Sequence, residues 1–383
     1  MMVPTKRLVK GCLLLVCMAT VILLYMGRYS IERFQETHVS IESDAENVFR
    51  FASELGATPQ KVSHEQRKHV LVIGRMSSGT TAIGRLLSDH ANFFYAYEPG
   101  HMLFKIVYDK HVFIDSNDNL QDIQPALCSF LEDLYDCDFS SQSFFLKAIN
   151  SRRLYNKWGT LPNLTYPVAQ DEAASFCRSN PNIMSKVVRL NDVTSCLPAL
   201  KRNKVKMVFL ARDPRGVVSS RLRRWTKVMT FLDTVGRANY YPLTSVVKEH
   251  CDWLEMVFNL LKDAPDWLKE NTMLIRFEDM CLYPEIITKA LFNFVGLEEP
   301  AMNRTMSESR NETAVGWMNA RNYQQLKEVQ DACPKHIYDD FGWKTFKSED
   351  ELQQVKLSWY SPMPRNTVYL NISCLKAQIA ANV

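Results

Sequence analysis

Between residues 69 and 87 the chain changes from a β-branched run to a loop of small and polar residues, and then to a helical pattern. The run is 69–73, the loop is Gly74–Thr81, and the pattern over 82–87 has apolar residues at positions 83, 86 and 87. A strand, a loop and a helix in direct succession are typical of proteins built on a parallel sheet. The segment therefore predicts the first unit of an α/β fold.

The same succession recurs twice further along the chain. A strand predicted over 205–211 leads into a helical segment, and one over 273–277 leads into a helix around 286–295. Residues 245–261 have apolar side chains at helical spacing and predict a packing helix. Alternating strands and helices predict a central, mostly parallel sheet flanked by helices, with ligands at the carboxyl ends of the strands.

The first loop has the glycine spacing of a phosphate-binding P-loop, G-x-x-x-x-G-K-S/T, but Thr80 stands in place of the lysine. Glycines there let backbone N–H groups turn toward an anion, and the helix N-terminus adds its positive end. Because the lysine that grips the β- and γ-phosphates of ATP is absent, we expect a phosphate-like group other than a nucleoside triphosphate. A tight strand-to-helix turn is the other interpretation. The candidate ligands are Arg75, Ser77, Ser78, Gly79, Thr80 and Thr81.

A second anion site is predicted where the second strand ends. Arg212 leaves that strand, and Ser220 follows about two helical turns later, near the face that the arginine can reach. A fork-shaped guanidinium and a hydroxyl together suit a separate phosphate group. Two anion sites at two strand ends match a nucleotide with both 5′ and 3′ groups, namely 3′-phosphoadenosine 5′-phosphosulfate (PAPS).

The N-terminus predicts a membrane anchor. Three basic residues precede an uncharged, mostly apolar run over 11–27, which Arg28 ends. A bilayer is spanned by about 17–25 such residues. The preceding positive charge favours a lumenal body, and a short span suits the early secretory pathway. We therefore expect a cytoplasmic tail (1–10), a transmembrane signal-anchor helix (11–27), a stem (28–68) and a lumenal catalytic domain (69–383). A cleaved signal peptide on a secreted protein is the alternative.

Other sequence features agree with a folded, lumenal protein. The composition, 46% hydrophobic and 23% charged, is that of a globular chain, and a net charge of +4 does not predict nucleic acid as a partner. Eight of the ten cysteines follow the anchor, which predicts disulfides in an oxidising compartment. No cysteines or histidines have zinc-site spacing, so no metal is expected. N-x-S/T sequons occur at Asn163, Asn303, Asn311 and Asn371.

Five motifs, in order, make the chain similar to the carbohydrate sulfotransferases that sulfate the 6-hydroxyl of galactose, N-acetylgalactosamine or N-acetylglucosamine. The similar segments are 78–84, 94–99 (F-Y-L-x-E-P), 186–189 (K-x-V-R), 211–221 (V-R-D-P-R-x-V-x-x-S-R), and 309–311 followed by Trp317. The order holds from about residue 69 to residue 343. The resemblance implies a sulfotransferase fold, PAPS as co-substrate, a glycan or glycosaminoglycan acceptor, and a single-pass type II enzyme of the Golgi membrane.

The resemblance also suggests roles for individual residues. Ser77 stands where the family has its loop arginine, and Arg75 is the candidate replacement. Glu98 follows the P-loop helix and an aromatic run that could shape a sugar site, and it is the candidate general base. Lys186 would neutralise the sulfonate or bind acidic groups of the acceptor, and Arg310 would bind the 3′-phosphate or the substrate. The structural alternatives are that Glu98 caps a loop or pairs with an arginine, and that Lys186 is solvated.

Two other functions compete with sulfo transfer. A nucleotide kinase on a related P-loop fold is disfavoured by the missing lysine and by the lumenal location. A non-catalytic, glycan-binding Golgi membrane protein of the same fold is favoured only by Ser77, while Glu98, Arg212 and Ser220 favour an enzyme. The sequence leaves open which sugar is the acceptor, how the cysteines pair, and whether the chain is a homodimer.

Overall fold

A computed structural model describes residues 67–89, 91–101, 103, 117–150, 167–223, 243–299 and 316–358. Within these residues the molecule is built on a five-stranded sheet in which every neighbouring pair is parallel. The prediction of a mostly parallel sheet is therefore confirmed. The strands are β1 (Lys68–Gly74), β2 (Phe93–Tyr97), β3 (Asn182–Val187), β4 (Lys206–Ala211) and β5 (Thr272–Arg276).

The strand order is β2-β3-β1-β4-β5, so the chain first builds the sheet on one side of β1 and later on the other. Ile73 of β1 lies opposite Val187 of β3 and Phe209 of β4. Because parallel neighbours end at the same edge, the loops after β1 and β4 leave the sheet side by side. The crevice at such a reversal of order is the usual ligand site of an open α/β sheet.

Helices connect the strands. Those before β4 are α1 (Thr80–Ser88), α2 (Asn117–Asp136), α3 (Ser143–Ile149), α4 (Gln170–Ser179) and α5 (Leu197–Arg202). Those after it are α6 (214–223), α7 (Leu243–Lys262), α8 (Asp266–Glu270), α9 (Phe277–Leu282), α10 (Pro284–Val295), α11 (Tyr323–Asp331), α12 (Lys335–Phe341) and α13 (Glu349–Ser358).

Two apolar cores lie on opposite faces of the sheet, because successive strand residues point to opposite sides. Leu71 and Ile73 of β1 belong to the larger core, which includes residues of α2, α4 and α7. Val70 and Val72 belong to the smaller core, which includes residues of α1 and α10. All four side chains are fully buried. A strand that is covered on both faces has apolar side chains on both, so its sequence is a continuous apolar run. This is the pattern that predicted β1.

The strands predicted over 69–73, 205–211 and 273–277 correspond to β1, β4 and β5, and the predicted helices correspond to α1, α7 and α10. Periodicity did not predict β2 and β3. The aromatic run of β2 contributes to the core, since Phe94 is fully buried and packs against rings distant in sequence. These rings are Phe139, Phe145 and Phe176.

The predicted tail and anchor, and the stem up to residue 66, lie outside the described residues. Among the residues that the structure describes, no helix is long and apolar enough to cross a membrane. The four sequon asparagines also lie outside the described ranges.

Three disulfides cross-link segments that are distant in sequence. They join Cys128 to Cys196, Cys137 to Cys177, and Cys251 to Cys333. The expectation of disulfides is confirmed, and the pairing that the sequence left open is defined for these six residues. Each bridge typically contributes about 2–4 kcal/mol by restricting the unfolded chain. Cys281 of α9 is buried, and Cys374 lies outside the described residues.

Gly84 provides a test of the packing between α1 and β2. A Cβ at this position would collide with the Tyr95 hydroxyl, which is buried without a hydrogen-bond partner among the described residues. We expect Gly84→Ala to lower the free energy of unfolding by about 1–3 kcal/mol, the usual cost of overpacking. Adding Tyr95→Phe should recover part of that loss, because it removes the colliding oxygen.

The control for this test is Gly316→Ala, since a Cβ on Gly316 would meet nothing within 4 Å. Urea denaturation of the three variants and the parent measures the differences. Equal effects of the substitutions at positions 84 and 316 would contradict the close contact between α1 and β2.

Candidate functional site: an anion cradle at the carboxyl edge of the sheet

The loop after β1 is shaped by two glycines and a strained serine. A Cβ on Gly74 would lie 2.7 Å from Ser78 Oγ, and a Cβ on Gly79 would collide with the Phe277 ring. Gly79 (φ 98°) and Ser77 (φ 73°) both adopt the left-handed region, which is costly for serine. The loop then enters α1, whose first N–H groups have no intrahelical acceptor and form the positive end of the helix dipole.

Arg212 connects the end of β4 to this loop. Its Nη1 donates to the Ser77 carbonyl oxygen at 2.8 Å, and its guanidinium carbon lies 4.0 Å from the centre of the Phe277 ring. Its Nε is buried and has no hydrogen-bond partner among the described residues. Burial lowers the pKa of Arg212 from its ordinary value, although Glu278 opposes the shift. A buried donor without an acceptor beside a glycine loop indicates a binding site for an anion.

Two further arginines contact the loop and its surroundings. Arg75 is fully buried, and its Nη1 donates to Asn191 Oδ1 at 3.4 Å while its Nη2 lies 3.6 Å from Glu249 Oε2. Arg221 of α6 donates from Nε and Nη2 to the Met76 carbonyl oxygen at 3.3 and 3.2 Å. The role of Arg75 as a replacement for the loop arginine stays a prediction, and its observed partners are protein groups.

Glu98 lies directly after β2, next to Lys186 at the end of β3. Its carboxylate forms an ion pair with Lys186 and lies 3.7 Å from Arg189 Nη1. Lys186 is almost fully buried and lies 4.4 Å from the centre of the Tyr97 ring, whose hydroxyl is 3.2 Å from Thr81 Oγ1 in α1. This chain of contacts connects the carboxylate to the anion cradle, which comprises the loop over residues 75–81, the N-terminus of α1 and Arg212.

The backbone and the electrostatics of Glu98 are both unusual. Its φ of 45° is left-handed, and such strain in a residue other than glycine concentrates at functional sites. Burial would raise the pKa of Glu98, but the positive charges of Lys186 and Arg189 outweigh burial and hold the pKa below its ordinary value. The side chain is therefore a carboxylate at neutral pH, able to accept a hydrogen bond from a hydroxyl.

A buried network supports the segment that contains Arg212. Arg215 donates from Nε and Nη2 to both carboxylate oxygens of Asp213, at 2.9 and 2.7 Å, and from Nη1 to Gln330 at 3.1 Å. Glu278 accepts from the Asp213 amide at 3.0 Å and from Trp343 Nε1 at 3.3 Å. Burial and the nearby Asp213 charge raise the pKa of Glu278 to about 7. The network fixes the turn after β4 against α9 and the C-terminal helices.

Positive charge is concentrated around the cradle. Five cationic side chains there are at least nine-tenths buried, and two carboxylates, Glu98 and Glu249, pair with three of them. Asp213 is occupied by Arg215, and the raised pKa of Glu278 limits its negative charge near pH 7. Because burying charge is costly, a bound anion would stabilise this arrangement. The five cations are Arg75, Lys186, Arg189, Arg212 and Arg221.

The structure brings most of the predicted site residues to one edge of the sheet. Residues 75–81 form the loop, with Arg212 bonded to it, and Glu98 with Lys186 lies beside it. Ser220 is half-buried on α6. Arg310 lies outside the described residues. Within the described ranges, no group of three or more His, Cys, Asp or Glu side chains is placed to hold a metal ion.

Sequence reasoning assigned no role to several residues at this edge. Arg189 and Arg221 stand in the motifs over 186–189 and 211–221, which is the signal that could have found them. Glu249 and His250 lie on α7, where His250 is four residues from both Val246 and Leu254 and so falls on the apolar stripe. A polar residue on such a stripe is a candidate for a buried contact.

The fold is that of a parallel α/β protein with buried cations at the carboxyl edge of its sheet, and comparison with known proteins identifies its family. The family model for the sulfotransferase domain matches residues 67–341, so the chain belongs to the sulfotransferase family. The chain is similar to carbohydrate sulfotransferase 1 of Mus musculus, with 24% identity over 349 residues that cover 76% of this chain and 83% of the relative.

Two further comparisons accompany this assignment. Carbohydrate sulfotransferase 7 of Rattus norvegicus is 24% identical over 396 residues, which cover 79% of each chain. A solved sulfotransferase from Alicyclobacillus acidocaldarius is 12% identical, with a TM-score of 0.37 over 75% of this chain and 99% of its own. The fold assignment rests on the parallel sheet and on the family match.

Proposed function

We propose that this protein transfers a sulfo group from PAPS to a hydroxyl of a glycan or glycosaminoglycan. The favoured acceptor is the 6-hydroxyl of galactose, N-acetylgalactosamine or N-acetylglucosamine. The observation that carries the proposal is Arg212, a buried cation bonded to the cradle loop whose Nε has no hydrogen-bond partner among the described residues. The relatives named carbohydrate sulfotransferases support a sugar as acceptor.

The residues of the edge fit the two anionic ends of PAPS. The loop from Ser77 to Thr81, with the N-terminus of α1, would hold the 5′-phosphosulfate through backbone N–H groups. Arg212 and Ser220 would hold the 3′-phosphate, and Arg310 would assist there or at the substrate. PAPS supplies an activated sulfo group, so the protein needs only to bind it, orient it and stabilise the charge that develops during transfer.

Glu98 and Lys186 are the proposed catalytic pair. Glu98 would accept the proton of the attacking hydroxyl, since it is an ionised carboxylate beside the cradle. Lys186 would supply positive charge toward the sulfonate oxygens. Its ion pair with Glu98 also holds the carboxylate in one orientation, and the contact of Arg189 with the same carboxylate adds a second support.

The first prediction from the proposed function tests the reaction itself. The full-length chain, incubated with labelled PAPS and a panel of glycans, should label at least one glycan. Labelled ATP in place of PAPS should label none. Arg212→Ala should weaken binding of adenosine 3′,5′-bisphosphate by about 10- to 150-fold, because a hydrogen bond to a charged group contributes roughly 1.5–3 kcal/mol. Ser220→Ala should weaken it less.

Arg202→Ala is the matched control for this test, since Arg202 is an exposed arginine whose side chain pairs with Glu132 on the surface. Transfer from ATP would indicate a kinase. Binding of glycan without any transfer would indicate the non-catalytic alternative. Unchanged bisphosphate affinity in Arg212→Ala and in Ser220→Ala would remove the proposed 3′-phosphate site.

The second prediction concerns Glu98. Glu98→Gln should lower kcat by about 10²–10⁴ while affinity for adenosine 3′,5′-bisphosphate stays unchanged, because the amide keeps the shape but not the proton affinity. Since the pKa of Glu98 lies below its ordinary 4.5, the base is lost only as the pH falls through that lower value. The parental rate should therefore show no ionisation of Glu98 between about pH 5 and 8.

Loss of the Glu98 charge also leaves the buried Lys186 with a weaker partner, so some loss of thermal stability is expected. Rates are therefore compared well below the melting temperature, with Glu132→Gln as a surface control. A near-parental kcat for Glu98→Gln would assign the base to another residue. A large drop in melting temperature with only a modest change in kcat would mark Glu98 as structural.

The proposal includes a location. The basic residues before the apolar run of 11–27 support a single-pass type II protein of the Golgi membrane, with the catalytic domain in the lumen. The three disulfides support an oxidising compartment. A homodimer stays a prediction, and the proposed chemistry does not need one.

This location predicts N-glycosylation at one or more of the four sequons. Endoglycosidase treatment of the full-length protein should increase its gel mobility, and protease added to intact microsomes should leave the catalytic domain uncut. An unchanged mobility together with cleavage in intact microsomes would place the domain in the cytosol.

A further inference from the structure

His250 is a buried polar residue on the apolar stripe of α7. Only 1% of its surface is exposed, and its ring stacks at 6.4 Å on Trp253. The next residue, Cys251, is disulfide-bonded to Cys333, which anchors α7 to the turn after α11. The position of the imidazole is therefore set by packing and by a covalent bond.

The imidazole contacts the main chain of Arg212. His250 Nε2 lies 2.9 Å from the Arg212 carbonyl oxygen. A carbonyl oxygen only accepts, so Nε2 carries the proton and Nδ1 is left with a lone pair. Nδ1 is buried and has no hydrogen-bond partner among the described residues. The ring therefore makes one directional contact, and that contact is with the residue that leaves β4.

The charge state of His250 agrees with a neutral imidazole that donates from Nε2. Burial lowers its pKa to about 3, and the positive charges of Arg221, Arg75 and Arg212 act in the same direction, against the hydrogen bond to Arg212. The imidazole is neutral at physiological pH and keeps one tautomer. A protonated ring would add positive charge to an edge that already contains several buried arginines, whereas the neutral ring donates a hydrogen bond without doing so.

The Arg212 main chain determines where its guanidinium lies. Residue 212 is the first after β4, and α6 begins two residues later. The side chain is confined between the Phe277 ring, 4.0 Å from its guanidinium carbon, and Gly216, where an added Cβ would lie 3.2 Å from Nε. A small rotation of the backbone here would break the 2.8 Å bond from Nη1 to the Ser77 carbonyl.

We propose that His250 is a positioning residue for the 3′-phosphate of the nucleotide, acting through its hydrogen bond to the Arg212 carbonyl. This inference rests on the proposed function, in which Arg212 binds that phosphate. The neighbouring Glu249 makes a parallel contact with Arg75, so two successive residues of α7 contact the arginines that follow β1 and β4. The helix thus sets the relative position of the two strand ends that form the cradle.

The test compares two nucleotides that differ only in the 3′-phosphate. Affinities of the full-length protein for adenosine 3′,5′-bisphosphate and adenosine 5′-phosphate are measured by calorimetry. His250→Asn and His250→Phe should each weaken bisphosphate binding by about 3- to 10-fold, the usual effect of one lost hydrogen bond. They should weaken monophosphate binding less, since the 5′ loop loses only the support of the Arg212 bond to the Ser77 carbonyl. His250→Gln, whose longer amide reaches the carbonyl, should restore near-parental affinity for both.

The Asn and Gln variants differ by one methylene group, so the comparison stands even where His250→Phe fails to fold. In an Arg212→Ala background, His250→Asn should cause no further loss of bisphosphate affinity, because the guanidinium through which it acts is gone. An equal loss for both nucleotides, or an additive loss in the Arg212→Ala background, would mark His250 as a structural core residue and overturn the inference.

Failure of the proposed function gives a different pattern. If the parent binds neither nucleotide and does not transfer from labelled PAPS, the function and the inference both fall. If the parent transfers the sulfo group but Arg212→Ala weakens the binding of both nucleotides equally, Arg212 does not bind the 3′-phosphate. In that case the role of His250 is overturned while sulfo transfer stands.

Discussion

Positive charge buried at the carboxyl edge of a parallel sheet is the constraint on which the rest of this structure depends. Arg212 is held in a low-dielectric site by a main-chain carbonyl and an aromatic ring. Such burial is unfavourable in the protein without a ligand, and a bound anion would offset part of its cost. The strained backbones of Ser77 and Glu98 lie at the same edge, so strain and charge are concentrated where the ligand is proposed to bind.

The elements around this edge hold it rigid. Asp213 pairs with Arg215 through both carboxylate oxygens, and Glu278 accepts hydrogen bonds from the Asp213 amide and from Trp343. These contacts join the turn after β4 to α9 and the C-terminal helices. On the other side, α7 contacts both strand ends and is tied to the C-terminal layer by a disulfide. A preorganised edge stabilises developing charge without reorganising during the reaction.

Sequence patterns predicted some elements and missed others for identifiable reasons. The apolar run of β1 and its glycine loop are local signals, so both were predictable. β3 contains a serine and Lys186, and its burial depends on neighbours that are distant in sequence. The motif over 94–99 identified Glu98, but only the register of β2 on β3 brings its carboxylate against Lys186. No periodicity in one segment contains that information.

The sequence by itself determined the α/β class, the cradle loop, the arginine after β4 and the family resemblance, because each depends on residues that are close together in the chain. Tertiary structure alone decided how the cysteines pair, that Arg75 contacts Glu249, and that His250 contacts Arg212. The physical reason is that a buried charge or a lone buried donor needs a partner in space. Packing brings that partner from an element that can be far away in the sequence, and no local sequence pattern contains this information.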